Sequence, residues 1–78
     1  MSDRNNMRRK ELEPFARNLA ERMEAAGFNQ RRLAASIGVT PTAVRFWVGA
    51  KREPHMRYFM RICAVLGCTP YELSKGCR

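Results

Sequence analysis

The 78-residue chain is predicted to be all-α, a compact five-helix bundle, and three observations lead there. Apolar residues recur at spacings of three and four, with no strand-like alternation. Thr40–Pro41 and Thr69–Pro70 each place a capping hydroxyl before a proline, the signature of a helix start. Gly27, Gly38 and Gly67 close the apolar-periodic runs, where a left-handed residue ends a helix.

Taken in order, "MSDRNNMRRK" (residues 1–10) is polar, basic and aperiodic, and reads as a flexible basic arm ahead of one domain over 11–76. From Glu11, the residues Leu12, Phe15, Ala16, Leu19, Ala20, Met23 and Ala26 mark a first amphipathic helix ending at Gly27. Pro14 is tolerable only in its opening turn. A second, short helix is capped by Asn29 and presents Leu33, Ala34 and Ile37 inward before Gly38 stops it. Two residues later Thr40 caps a third helix that Pro41 opens. Short helices joined this tightly cross steeply, which is the helix-turn-helix arrangement. "VGAKREP" breaks the third helix. The fourth turns Met56, Phe59, Met60, Ile62, Cys63 and Leu66 inward and ends at Gly67. In the fifth, Thr69 as cap and Glu72 three residues on form a capping box, followed by Tyr71 and Leu73 in a short helix.

The net charge is +8, and it is unevenly placed. Residues 1–29 hold six basic and five acidic groups, whereas residues 30–61 hold seven basic groups and only Glu53. One continuous segment therefore carries an electrostatic footprint suited to nucleic acid. Gly38, Gly49 and Pro54 interrupt it, so it does not form one long membrane-surface helix. Cys63, Cys68 and Cys77 are odd in number, lack C-x-x-C spacing and have only His55 beside them, which argues against a metal site or a disulfide framework. Cys63 and Cys68 read as small core hydrophobes, and Cys77 as exposed. No cofactor is expected, and no enzymatic pairing of Ser or Cys with His is evident. Without a signal-peptide pattern or a spanning segment, the expectation is a soluble intracellular protein.

On the third helix, 100° per residue puts Val44, Trp47 and Val48 on one face and Thr42, Arg45 and Phe46 on the other. Trp47 is assigned to the core and Phe46 to the outside. If that outer face enters the major groove, Arg45 can bond bidentately to guanine O6 and N7, and Phe46 can pack on a thymine methyl. Thr40, Pro41 and Thr42 would reach base edges or the adjoining backbone, with Ala43 small enough to allow close approach. Arg31 and Arg32 open the second helix and Arg57 the fourth, positions where the helix dipole disfavours cations. An external phosphate would supply the missing anion, and Asn29 and Gln30 at the same end can donate to it.

The stretch from Gln30 to Gly76 resembles the phage lambda repressor/Cro-like helix-turn-helix family, the XRE family. The resemblance rests on Gln30, Leu33–Ala34, Ile37–Val39, Thr40, Val44, Trp47, Pro54 and "LGCTPYEL". It implies a bundle of lambda-repressor-like type that acts as a transcriptional repressor, a homodimer on a palindromic operator of double-stranded DNA, in the cytoplasm and nucleoid of a bacterial or phage-infected cell. Gln30 falls on the family's phosphate-clamping position, and Pro41, Thr42, Arg45 and Phe46 on its base-reading positions. Lys51 and Arg52 fall on its backbone-contacting loop. Val48 and Ala50 depart from the family's usual glutamate and glycine, and Val48 is expected to meet Met23 through an apolar contact. The dimer surface is expected on the fifth helix, with Tyr71, Leu73 and the tail. A second reading, from the exposed Phe46 and an apolar patch at Tyr58, Tyr71 and the tail, is an antitoxin-type module that binds a partner protein.

Overall fold

The computed structural model describes the backbone of residues 2–74 and the side chains of residues 11–74. Among these the elements are α1 (Ser2–Ala26), α2 (Gln30–Ile37), α3 (Pro41–Val48), α4 (Met56–Leu66) and α5 (Pro70–Ser74), with no strand. Cys77 and the tail beyond Ser74, part of the expected dimer surface, lie outside the described residues.

The helix expected from Glu11 is longer: α1 runs unbroken from Ser2, and Pro14 sits in its interior rather than its first turn. Arg, Lys, Glu and Met in residues 7–13 are strong helix formers, so a segment without an apolar stripe still takes helical backbone by propensity. A proline there removes the N–H bond to the carbonyl four residues back and crowds that carbonyl, yet α1 continues through it.

α1 packs on α3, α4 and α5, and α2 packs on α3 and α4. Between them lie Leu19, Leu33, Ile37, Val44, Ile62 and Leu73, fully buried. Each such side chain contributes about 1.5–3 kcal/mol of transfer free energy. Phe15 stacks on Phe59 with ring centroids 5.8 Å apart, joining α1 to α4. A smaller cluster of Leu12, Ala16 and Ala50 fastens the loop after α3 to α1.

The helix ends follow the capping residues. Gly38 takes φ 81° and closes α2 with its N–H on the Ala34 carbonyl, leaving only Val39 and Thr40 before α3. At α5 the capping box forms: Glu72 Oε1 accepts the Thr69 N–H at 2.8 Å and Thr69 Oγ1 accepts the Glu72 N–H at 3.1 Å. At the other end, Asn18 Nδ2 donates to the Leu73 carbonyl at 2.9 Å, tying α5 to α1. α4 has a cap that the sequence did not announce, His55, whose Nδ1 accepts the Arg57 N–H at 3.3 Å. Cys63 is buried and Cys68 packs half-buried against the core, as expected. Burial, and then the neighbouring Cys68 thiol, push the Cys63 thiol up to about 11.

Two expectations about burial are corrected. Met56 and Met60, assigned inward, are 68% and 50% exposed. The buried ridge of α4 is Ile62, Cys63 and Leu66, and at 100° per residue the two methionines fall on its outer flank. Leu73, assigned to the dimer surface, is fully buried, because α5 is so short that its one aliphatic residue must close the bundle.

Candidate nucleic-acid interface

α3 presents its outer face through its cap and its buried side. Thr40 Oγ1 accepts the Ala43 N–H at 3.2 Å, and Pro41 opens the helix with φ already set. Val44 and Trp47 are buried, so the helix cannot rotate without exposing them. Pro41, Thr42 and Arg45 are left exposed together, with Ala43 and Val48 half-buried on the flanks. Thr40 is exposed as well, but its hydroxyl oxygen is engaged in the cap, so its O–H is what remains for an outside partner.

Phe46 is placed differently from the expectation. It is half-buried at the edge of that face, and the Arg52 guanidinium lies 5.8 Å from its ring centroid. The loop after α3 explains this. Ala50 adopts a left-handed backbone at φ 59° and buries its methyl in the cluster with Leu12 and Ala16. The chain then folds back, the Lys51 N–H bonds the Phe46 carbonyl at 2.9 Å, and Arg52 comes over the ring. Lys51 itself is exposed.

The α2 N-terminus adjoins that of α3. A groove of about 760 Å³ brings Met23, Phe28, Asn29, Gln30 and Arg31 beside Pro41. Val48 also lines it and packs, half-buried, against the core cluster to which Met23 belongs. Asn29 Oδ1 accepts the Arg32 N–H at 2.7 Å, which leaves its amide N–H groups for an acceptor outside. Gln30 is half-buried and Arg31 exposed. Arg32 lies 5.4 Å over the Phe28 ring.

The third group gathers on α4. Arg57 and Arg61 flank Tyr58, 5.9 Å and 5.8 Å from its centroid, and Tyr58 tilts against Trp47 at 6.5 Å. Arg57 is therefore joined to α3 through Tyr58 and Trp47 rather than through the Lys51–Arg52 loop. Arg61 was not singled out from the sequence. Its Nη1 donates to the Ile37 carbonyl at 3.2 Å, a cation on the C-terminal end of α2 beside the Gly38 turn. Its partner is distant in the chain, so no local pattern announces it.

Electrostatically, the first turns of α2, α3 and α4 hold no acidic residue, whereas that of α5 holds Glu72. Each helix start carries roughly half a positive charge, and an added cation there costs about 0.3–1 kcal/mol. Among the described residues an ion pair joins Arg22 to Glu72 at 3.5 Å, while Arg31 and Arg45 have none. Arg32, Arg52, Arg57 and Arg61 are held by aromatic faces, about 0.5–1 kcal/mol each at exposed sites, which orients them without neutralising them. The result is a surface with positive charge on ordered side chains and few anions of its own. Among the described residues no group of His, Cys, Asp and Glu is arranged to hold a metal, and no helix is long and apolar enough to cross a membrane.

The helix-turn-helix family profile matches residues 19–73, from the middle of α1 to Leu73 in α5. Comparison with curated proteins and with solved structures gives no significant match.

Proposed function

Because the chain belongs to the Cro/C1-type helix-turn-helix family of DNA-binding regulators, we propose that it is a sequence-specific repressor that binds a palindromic operator as a homodimer. α3, residues 41–48, enters the major groove. Thr40, Pro41, Thr42, Arg45 and Phe46 read base edges, and Asn29, Gln30, Arg31, Lys51 and Arg57 meet the backbone. The observation that carries this reading is the exposed Pro41–Thr42–Arg45 face, bordered by helix starts without acidic residues. Phosphates are the anions such a border favours, and an unpaired arginine on a groove-sized helix suits guanine. A domain making so few base contacts gains useful affinity from a second half-site, about 34 Å away on a two-fold axis. With Leu73 in the core, the part of α5 left for that contact among the described residues is Tyr71, which is 74% exposed.

The test is enrichment sequencing from a randomised duplex pool, with titration at low and near-physiological salt. A palindromic site that survives the higher salt is the expected result. In the same assay Arg45→Ala should weaken the selected site about 5- to 150-fold and leave unrelated duplex nearly unchanged. Unselective binding that vanishes with salt would remove the regulator reading. In the structure, the observation that favours the antitoxin-type alternative is the exposed Met56 and Met60 on α4. It would then take over, with Met56→Ser and Met60→Ser abolishing binding of the partner protein.

A further inference from the structure

Arg52 reads from the sequence as one of the loop's phosphate contacts, but its surroundings give it a different office. The loop that carries it is pinned at two points: the Ala50 methyl lies in the cluster with Leu12 and Ala16, and the Lys51 N–H is bonded to the Phe46 carbonyl at 2.9 Å. The guanidinium is set over Phe46 of the recognition helix, 5.8 Å from the ring centroid. A phosphate clamp needs charge and reach, and it tolerates freedom. A guanidinium held on an aromatic ring has lost freedom and gained orientation, while the five N–H donors around its rim stay available in its plane.

Resting on the DNA reading above, we infer that Phe46 and Arg52 form a single base-reading unit, Phe46 on a thymine methyl and Arg52 bidentate to a guanine close by. Arg52 covers the ring face, so the ring edge is what meets the C5-methyl group. Base pairs rise about 3.4 Å per step, so a separation of 5.8 Å spans less than two steps. The contacts from guanidinium to base and from ring edge to methyl lengthen that span, so the guanine lies within about four base pairs of the thymine. Arg45 and Arg52 then read separate positions, and the loop after α3 contributes to specificity as well as to affinity.

The experiment uses the full chain and its Arg52→Lys, Arg52→Ala and Phe46→Leu variants, each checked for wild-type helicity and thermal midpoint, in the same randomised-pool selection. Lysine keeps the charge and loses the planar fork, so Arg52→Lys separates the two roles. The expected result is that it keeps wild-type affinity and salt dependence on unrelated duplex. It loses the preference for guanine at one position by about ten- to a hundredfold. That position should lie within about four base pairs of the one at which Phe46→Leu loses its preference for thymine. If Arg52→Lys retains every base preference while Arg52→Ala weakens all duplexes equally, lowering the salt slope by about one, Arg52 is a phosphate contact and the inference fails alone. If the wild-type chain enriches no site, the DNA reading fails and takes the inference with it.

Discussion

Ala16 and Ala50 share one small buried cluster with Leu12, at 6% and 5% exposure, yet glycine at the two positions should have opposite standing. Ala16→Gly removes a buried methyl, about 0.8 kcal/mol, and places glycine in a helix interior, a further ~1 kcal/mol. The total is about 2 kcal/mol. Ala50→Gly loses the same ~0.8 kcal/mol of methyl burial and about 0.4–1 kcal/mol through the freer unfolded chain. Against this, Ala50 stands at φ 59°. A left-handed L-residue costs about 1–2 kcal/mol, which glycine does not incur. The opposing terms leave Ala50→Gly within about 1 kcal/mol of wild type. Urea unfolding followed by far-ultraviolet circular dichroism measures both, and the thermal midpoint should fall by roughly 8–16 °C for Ala16→Gly and by far less for Ala50→Gly. Equal losses at the two positions would mean that the Ala50 backbone stores no strain, and the account of how this loop turns back onto Phe46 would have to be abandoned.

Gly38→Ala should cost about 1–2 kcal/mol in the same unfolding assay. The added methyl would sit an ordinary 3.8 Å from Arg61 Nη1, so the loss is one of backbone conformation, and Arg61→Ala should not relieve it. For Glu72, the hydrogen bond from the Thr69 N–H holds the carboxyl below its usual range, with Arg22 acting in the same direction. A carboxyl with a lower pKa folded than unfolded stabilises fully above its unfolded value and loses that contribution as pH falls through the folded one. Acid titration of stability should therefore be shallower for Glu72→Gln than for wild type, and identical curves would contradict the assignment. In alkylation of the native protein at mildly alkaline pH, mapped by mass spectrometry, Cys68 should react before Cys63. The latter is buried with its thiol raised to about 11, so denaturant should be needed to label it.

The helices of this protein were legible because their punctuation is local. Thr40–Pro41, Thr69 with Glu72, and Gly38 act on backbone groups within four residues, so the residues alone state where α2, α3 and α5 begin or end. The same locality put Trp47 and Val44 inside and Pro41, Thr42 and Arg45 outside, since a helix of eight residues has one buried stripe to offer. Apolar periodicity overreached where a helix has more apolar residues than its neighbours can cover, as at Met56 and Met60, and underreached at Leu73, whose burial depends on α1 lying across it.

By itself the sequence determined the helical class, the helix-turn-helix spacing and the excess of positive charge in residues 30–61, all consequences of composition and of contacts within a turn or two. Only the tertiary structure decided that Arg52 lies over Phe46, that Arg61 caps α2 and that Ala50 bends left-handed against Leu12 and Ala16. Each of these depends on how a loop or a long side chain is held by an element remote in the chain. Such positions follow from the shape of the assembled core, which no single segment encodes.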